Sequence, residues 1–276
     1  MKKKKFNTKD LKKRSRLMRA NILKMINSAG SGHPGGSLSC IDILNYLYGY
    51  HLKHNPDRPD WKNRDRFIMS KGHASPAMYA VLGEEGYFSK KEFQYFRKFE
   101  ALLQGHVHAG VPGAELSTGS LGQGLSAACG MAFGSVLNQT DTVNVYCLIG
   151  DGEMQEGQIW EALMTAGHHK LNNLCAILDF NGVQENGPVE NIKKIEPIKN
   201  KLQDFNWEVS EIDGHNFKQI KRALDSFLKV KDRPFFIKAN TVKGKGVSFM
   251  EGQHIWHGKA PTDAELSKAL MEINND

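Results

Sequence analysis

Two polar residues that each follow a buried strand-like run could together bind a divalent cation. Asp151 follows the apolar run 143–149, and Asn181 follows the apolar run 173–178. Mg²⁺ prefers hard oxygen ligands and usually keeps phosphate oxygens and water in its coordination shell. The carboxylate of Asp151, the amide oxygen of Asn181 and the backbone carbonyl of Val183 therefore predict a site for Mg²⁺, or for Ca²⁺ or Mn²⁺ in its place, that also holds a diphosphate.

The glycines on either side of Asp151 let a phosphate group approach the backbone closely. The segment from Glu153 to Lys170 has a helical pattern, and Gly152 would open that helix. Because the N-terminus of a helix favours an anion, we expect Gly150, Gly152 and Glu153 to contact the diphosphate. The alternative is that Gly-Asp-Gly is only a strand-to-helix turn, since both residue types are common in turns.

Four histidines lie beside glycine in loop-like segments, where a cofactor or a small polar substrate could reach them. They are His33, His73, His106 and His257. Imidazole donates hydrogen bonds and exchanges protons near neutral pH, but a single histidine in such a turn is more often a cap residue. His108 forms a His-x-His pair with His106, yet no further ligand lies near in sequence, so zinc is not favoured.

Alternating strands and helices must position these residues. The predicted strands are 66–70, 143–149 and 173–178, and the predicted helices are 10–29, 76–86, 119–134, 153–170 and 262–272. This alternation indicates an α/β fold with a parallel β-sheet flanked by helices. Ligands of such folds bind beyond the carboxyl ends of the strands, where Asp151 and Asn181 would lie.

The composition of the 276 residues predicts a basic N-terminal tail over 1–9 and a single domain over 10–276. The formal charge is +7, but lysines concentrate in the first five residues without a nucleic-acid-binding signature, so we expect no nucleic acid partner. No apolar run reaches the roughly 18 residues of a membrane span, and none follows the first lysines as in a signal peptide. Four separated cysteines suggest free thiols in the cytoplasm.

Six segments occur in the order in which they occur in transketolases. They are Ser31 to Gly36, Ser70 to Ser75, Gln104 to His106, Ser117 to Gly124, Gly150 to Gly157, and His257 to Pro261. From about Leu11 to Leu270, the chain therefore resembles the N-terminal, diphosphate-binding part of transketolase, a thiamine-diphosphate enzyme. The resemblance implies the thiamine-diphosphate-binding fold, thiamine diphosphate with Mg²⁺ as cofactors, and transfer of a two-carbon ketol unit from a ketose phosphate to an aldose phosphate.

The resemblance also implies roles for individual residues. His33, His106 and His257 would contact substrate hydroxyls near the reacting carbonyl and act as catalytic residues. His73 and His257 would approach the diphosphate, and Gly119 and Leu121 would lie against the cofactor rings. Two departures from the family pattern, Ser120 and Val107 where proline is usual, leave the identity of the substrate open.

The resemblance further implies a partner chain. Glu156 and Glu161 match residues that approach the partner chain in the family and link two active sites. The pyrimidine-binding and C-terminal domains of the family, including a glutamate needed for cofactor activation, have no counterpart in this sequence. We therefore expect a split transketolase, in which this chain joins a C-terminal subunit carrying the pyrimidine-binding domain, as a heterotetramer with two copies of each.

Two other functions remain open at this stage. The α-subunit of a thiamine-dependent 2-oxo acid dehydrogenase also carries a Gly-Asp-Gly followed by an Asn, although the Gly-His-Pro-Gly turn and the His-Gly-Lys-Ala-Pro segment favour transketolase. A non-catalytic thiamine-diphosphate-binding protein would need no second half of the site. The sequence does not name the sugars or the pathway.

Overall fold

A five-stranded parallel sheet forms the centre of the protein. The computed structural model describes residues 5–138 and 143–275. In chain order the strands are β1 (Arg66–Met69), β2 (Val145–Gly150), β3 (Leu174–Phe180), the short hairpin pair β4 (Val183–Gln184) and β5 (Gly187–Pro188), β6 (Glu208–Asp213) and β7 (Phe235–Asn240). The main sheet has the order β1-β2-β3-β7-β6, and each neighbouring pair runs parallel, as the sequence pattern predicts.

Helices cover both faces of this sheet. They are α1 (Thr8–Ala29), α2 (Pro34–Tyr46), α3 (Ser75–Glu85), α4 (Gln123–Leu137), α5 (Gly157–His168), α6 (Val189–Ile192), α7 (Ile198–Asp204), α8 (Phe217–Phe227) and α9 (Asp263–Asn275). Apolar side chains of α1, α2, α3, α8 and α9 form one core layer, and those of α4, α5 and α7 form the other. β2 is buried along its whole length because both of its faces are covered, as in other parallel sheets.

Two helices begin later than the sequence pattern predicts. α4 begins at Gln123 rather than at Gly119, because Gly119 and Gly122 have positive φ angles of 144° and 89°, which a helix does not accommodate. Residues 153–155 form a 3₁₀ turn, and α5 begins only at Gly157. The prediction that Gly152 opens a long helix is therefore wrong, and so is the helix N-terminus expected to attract an anion there.

The first helix also begins earlier than expected. Asn7 caps α1, and its side-chain oxygen accepts hydrogen bonds from the backbone N–H groups of Lys9 and Asp10. Thr8 and Lys9 thus belong to the domain rather than to a tail over 1–9, while residues 1–4 lie outside the described residues. Across the described ranges, no helix has the length and apolar character needed to cross a bilayer.

All five strands of the main sheet end at the same edge, because every neighbouring pair is parallel. Register pairs Gly150 with Asp179 across β2 and β3, and Phe180 with Asn240 across β3 and β7. The residues that follow β1, β2, β3 and β7 therefore lie side by side beyond this edge. That edge carries the candidate site.

Candidate active site

Asp151 links the ends of β2 and β3. Its carboxylate is buried, with one oxygen accepting a hydrogen bond from the Gly152 N–H at 2.8 Å and the other accepting from the Gly182 N–H at 2.7 Å. The side-chain oxygen of Asn181 accepts from the Val183 N–H at 3.1 Å. We name Asp151, Asn181 and the Val183 carbonyl the oxygen site, which the structure brings together at one strand edge.

The pKa values of two neighbouring carboxylates, Asp151 in the oxygen site and Asp179 beside it, shift in opposite directions. Burial raises the pKa of Asp151, and the nearby negative charge of Asp179 raises it further. Asp179 forms a buried ion pair with Lys71, which holds the pKa of Asp179 below its ordinary value despite its burial. Lys71 also donates to the Gly36 carbonyl at 3.0 Å. A divalent cation at the oxygen site would offset the repulsion between the two carboxylates.

Lys243 is a functional candidate that the sequence analysis did not single out. Its buried ammonium group donates to the Val183 carbonyl at 2.9 Å and lies 3.1 Å from His257 Nδ1. Burial and the positive charge of Lys71 lower the pKa of Lys243 to about 8. No carboxylate forms an ion pair with Lys243 among the described residues. The Gly- and Lys-rich stretch after β7 is the signal that could have identified it.

The residues present fit a metal ion bound together with a diphosphate. The Lys243 ammonium shows that a cation can contact the Val183 carbonyl, and Asp151 and Asn181 add oxygens of the kind that Mg²⁺ prefers. Within 5–138 and 143–275, no three His, Cys, Asp or Glu side chains group in a way that could hold a metal ion by themselves. The oxygen site would therefore depend on phosphate oxygens to complete its coordination.

The four predicted histidines form one cluster beside this edge. The ring centroid of His33 lies 5.3 Å from those of His73 and His257 and 6.0 Å from that of His106. The rings of His73 and His257 are 5.2 Å apart. We name these four side chains the histidine cluster. Loops after α1, β1 and β7 and the loop before α4 bring them together, so their proximity depends on the tertiary fold.

All four imidazoles favour the neutral form. Burial, followed by the charges of His106, Arg97 and two lysines, lowers the pKa of His33 to about 4. Burial and then Lys243 lower the pKa of His257 to about 3, and burial and then Lys71 lower that of His73 well below its usual value. The pKa of His106 is lowered by burial and then by Arg97. An anion bound near the lysines would oppose these shifts.

One polar atom of the histidine cluster has no partner. Nδ1 of His33 is buried and makes no hydrogen bond to any described residue. Buried polar atoms are normally satisfied, so an unpaired one beside a site indicates a group that binds there. Arg97, which no motif marks, packs against Gly105 and adds positive charge near His33 and His106. This part of the site suits a hydroxyl-bearing or anionic ligand.

The loop before α4 packs directly against His106. A Cβ atom added to Gly119 would lie 2.6 Å from His106 Cδ2, so only glycine permits this approach. Leu121 lies two residues further along the same loop, and its apolar side chain is 38% exposed. The contacts of Gly119 and Leu121 with cofactor rings stay a prediction.

Glu153 has a different position from the one expected. Its buried carboxylate accepts hydrogen bonds from the Gly122 N–H at 2.9 Å, the Gly150 N–H at 3.1 Å and the Ser70 hydroxyl. These donors come from the end of β2, from the residue after β1 and from the residue before α4, so Glu153 ties three segments together. Glu153 therefore organises the site, and its oxygens are occupied by protein donors rather than open to a diphosphate.

Glu156 and Glu161 belong to the exposed surface around α5. Glu156 precedes α5 instead of lying on it, Glu161 lies within α5, and both are exposed. Large apolar side chains are also exposed on α5 and on the neighbouring α4. They are Phe133, Val136 and Leu137 on α4 and Met164 on α5. We name this surface the α4–α5 face.

Comparison with known proteins places these features in a family. Residues 11–274 match the model of the transketolase thiamine diphosphate binding domain. A 6-deoxy-6-sulfo-D-fructose transketolase subunit of Clostridium sp. (strain MSTE9) is 39% identical over 268 residues, covering 97% of each chain. One of the subunits of the apulose-4-phosphate transketolase of Phocaeicola vulgatus is 38% identical, covering 93% of this chain and 91% of the relative.

A solved structure agrees with the sequence matches. The crystal structure of transketolase from Campylobacter jejuni superimposes with a TM-score of 0.93 at 36% identity. The match covers 98% of this chain and 43% of the solved one. The chain thus corresponds to about two-fifths of that transketolase, but to nearly the full length of the two subunit relatives.

Proposed function

Because the chain belongs to the transketolase family through its thiamine diphosphate binding domain, we propose that it is the N-terminal subunit of a two-chain transketolase. The enzyme would transfer a two-carbon ketol unit from a ketose phosphate to an aldose phosphate. The observation that carries this proposal is the adjacency of the oxygen site, Lys243 and the histidine cluster at one edge of a family-typical sheet. Full-length similarity to two named transketolase subunits supports the split arrangement.

The oxygen site would hold the metal ion. Asp151, Asn181 and the Val183 carbonyl supply a charged and two neutral oxygens, which favours Mg²⁺ and also admits Ca²⁺ or Mn²⁺. Lys243 contacts the Val183 carbonyl in this structure, so metal binding would release its ammonium group to pair with a diphosphate oxygen. His73, His257 and the backbone at Gly150 and Gly152 complete the proposed diphosphate contacts.

The histidine cluster would act on the sugar. Thiamine diphosphate, when bound, supplies the carbon nucleophile of ketol transfer. The lowered pKa values of His33, His106 and His257 favour neutral imidazoles, which can each donate one hydrogen bond and accept another. As negative charge develops on the carbonyl oxygen, these donors stabilise it, and one imidazole can return a proton. Gly119 and Leu121 would line the space for the cofactor rings.

The α4–α5 face would bind the partner chain. Leu137 on α4 is 68% exposed and Met164 on the neighbouring helix α5 is 54% exposed, and large exposed apolar side chains often mark a surface that binds another protein. Glu156 and Glu161 are exposed at the start of α5 and within it, and we propose that they form the acidic contacts between active sites. We propose that this partner carries the pyrimidine-binding domain and that two copies of each chain form a heterotetramer.

The substrate is to be sought among the sugars that transketolases use. One relative is named for a sulfonated ketose and another for apulose 4-phosphate, so both belong beside the common pentose phosphates in a substrate test. Arg97 adds positive charge near His33 and His106, which suits a donor or acceptor that carries phosphate or sulfonate. A cytoplasmic location stays a prediction, compatible with the four buried free thiols.

The test compares donors on the complex that the chain forms with its partner. The complex would be loaded with thiamine diphosphate and Mg²⁺ and offered xylulose 5-phosphate, 6-deoxy-6-sulfo-D-fructose, apulose 4-phosphate, pyruvate or a branched 2-oxo acid, with ribose 5-phosphate as acceptor. We expect transfer from at least one sugar and none from the oxo acids. Turnover of oxo acids alone would instead support a role in a 2-oxo acid dehydrogenase, and cofactor binding without any turnover would support a non-catalytic protein.

A further inference from the structure

A buried polar cluster lies behind the segment that carries Lys243. One oxygen of the Asp42 carboxylate accepts hydrogen bonds from Arg19 Nη2 at 2.6 Å and from His215 Nδ1 at 2.8 Å. Asp42 and Arg19 are each less than a tenth exposed. We name Arg19, Asp42 and His215 the Asp42 cluster. It draws together α1, α2 and the loop between β6 and α8.

The contacts of His215 fix its tautomer. Its Nε2 atom accepts a hydrogen bond from the backbone N–H of Val242 at 3.0 Å, so this nitrogen carries no proton. The proton therefore lies on Nδ1, which donates to Asp42. His215 thus connects the buried carboxylate to the residue immediately before Lys243.

The residues around Lys243 are tied on both sides. Arg19 Nε donates to the Lys245 carbonyl at 3.0 Å, so the Asp42 cluster holds the segment at Val242 and again at Lys245. The Gly244 N–H donates to the Gly35 carbonyl at 3.0 Å, and the Thr241 hydroxyl donates to Asp179. Lys243 is thereby presented from a segment whose backbone has little freedom to move.

The path of the Lys243 side chain is equally restricted. The Lys243 side chain passes close to the backbone of Gly35. A Cβ atom added to Gly35 would lie 2.9 Å from Lys243 Cγ and 3.1 Å from its Cε, so a larger residue there would crowd the lysine. At its far end the ammonium group meets the Val183 carbonyl and His257. Small shifts of the Val242 backbone would therefore displace the ammonium group from the oxygen site.

We propose that His215 is a positioning residue, which fixes the backbone at Val242 so that Lys243 is presented to the diphosphate. This inference rests on the proposed function, because it assigns the diphosphate to Lys243. A buried ion pair is weak evidence for stability alone, since desolvation offsets much of its attraction. Asp42 instead fixes the tautomer of His215. In that tautomer Nε2 is free to accept a hydrogen bond from the Val242 N–H.

Two substitutions separate the two hydrogen bonds of His215. His215→Asn keeps a donor near Nδ1 for Asp42 but loses the acceptor for Val242, whereas His215→Gln keeps an acceptor near Nε2. We expect His215→Asn to weaken thiamine diphosphate binding by roughly 5- to 10-fold, the value of about one hydrogen bond, and His215→Gln by less. Calorimetric titration of the complex with its partner, in Mg²⁺, measures both. Turnover at saturating cofactor should stay within about 2-fold of native.

A double-mutant cycle with Lys243→Met tests whether the effect passes through Lys243. In that background His215→Asn should weaken cofactor binding no further, because the group that it positions is gone. Full additivity of the two losses, or equal losses in the Asn and Gln variants, would overturn the proposal. So would native cofactor affinity in His215→Asn accompanied only by a lower melting temperature.

A second measurement needs no cofactor. Hydrogen exchange of the Val242 amide in the full chain should be slow in the native protein, similar in His215→Gln and faster in His215→Asn. Unchanged exchange in the Asn variant would overturn the positioning role even if cofactor binds as proposed. If exchange behaves as expected but the native complex binds no thiamine diphosphate, the proposed function fails, and with it the assignment of the diphosphate to Lys243.

Discussion

The oxygen site and the histidine cluster lie next to each other but are built in different ways. The oxygen site lies at the ends of two adjacent strands, and register and backbone N–H groups fix its carboxylate. The histidine cluster gathers side chains from four loops, and one of its polar atoms has no partner among the described residues. Local structure thus fixes the oxygen site, whereas the histidine cluster depends on packing between segments that are distant in the sequence.

The two halves also differ in charge. Asp151, Asp179, Lys71 and Lys243 bring formal charges to the sheet edge, while burial and neighbouring cations favour neutral imidazoles in the cluster. Fixed charges suit tight binding of a metal ion and a diphosphate. Neutral imidazoles suit the exchange of hydrogen bonds and protons with a sugar. We therefore expect the oxygen site to bind the cofactor and the histidine cluster to act on the sugar.

The largest effect is expected at the oxygen site. Asp151→Ala removes its charged ligand, and we expect Mg²⁺-dependent binding of thiamine diphosphate to fall by about 1000-fold or beyond detection, because a metal ligand contributes several kcal/mol. The fold should persist, as judged by circular dichroism. Exposed Asp57→Ala is the control and should bind normally. Unchanged cofactor affinity in Asp151→Ala would remove the metal assignment.

A substitution in the histidine cluster should have the opposite profile. His106→Ala is expected to lower turnover by about 100-fold, the scale of one acid–base or hydrogen-bonding group, and to change cofactor affinity by less than about 3-fold. The comparison of kcat with the cofactor dissociation constant separates the two halves. An equal loss of both would place His106 on the cofactor side.

The histidine cluster should make the stability of the fold sensitive to acid. Unfolded histidines titrate near pH 6.5, whereas the pKa of His33 is about 4 and that of His257 about 3 in the folded chain. Between about pH 6.5 and 4 the unfolded chain therefore binds more protons, so the free energy of unfolding falls as pH is lowered. Urea unfolding at several pH values measures this slope.

Removing one histidine should flatten that dependence. His257→Gln is expected to reduce proton uptake on unfolding near pH 5 by about one proton. His254→Gln, an exposed histidine in the same short helix, is the matched control and should keep more of the native slope. Equal slopes in the two variants would show that the buried cluster does not control the acid response.

The smallest effect is expected on the α4–α5 face. Replacing Glu156 and Glu161 by Gln should change the free energy of unfolding by less than about 0.5 kcal/mol, because both residues are exposed. The same change should weaken association with the partner chain by several-fold, as measured by analytical ultracentrifugation. Association as tight as native would exclude both glutamates from the interface.

Sequence predicted the oxygen site more completely than it predicted the rest. Asp151 and Asn181 could be assigned because strand periodicity and strand ends are local features. Lys243 and the Asp42 cluster were missed because each depends on contacts between segments far apart in the chain. The late start of α5 could not be predicted either, because Glu153 accepts hydrogen bonds from three segments that are separate in the sequence.

Reconstitution with the partner tests the central claim most directly. Ketol transfer from xylulose 5-phosphate to ribose 5-phosphate, or from whichever sugar the donor panel identifies, would be measured with thiamine diphosphate and Mg²⁺ for this chain alone and mixed with its co-purifying polypeptide. We predict activity only in the mixture, and none when the chain carries Asp151→Ala. Activity of the chain alone, or full activity of the mixture with the variant, would contradict the account.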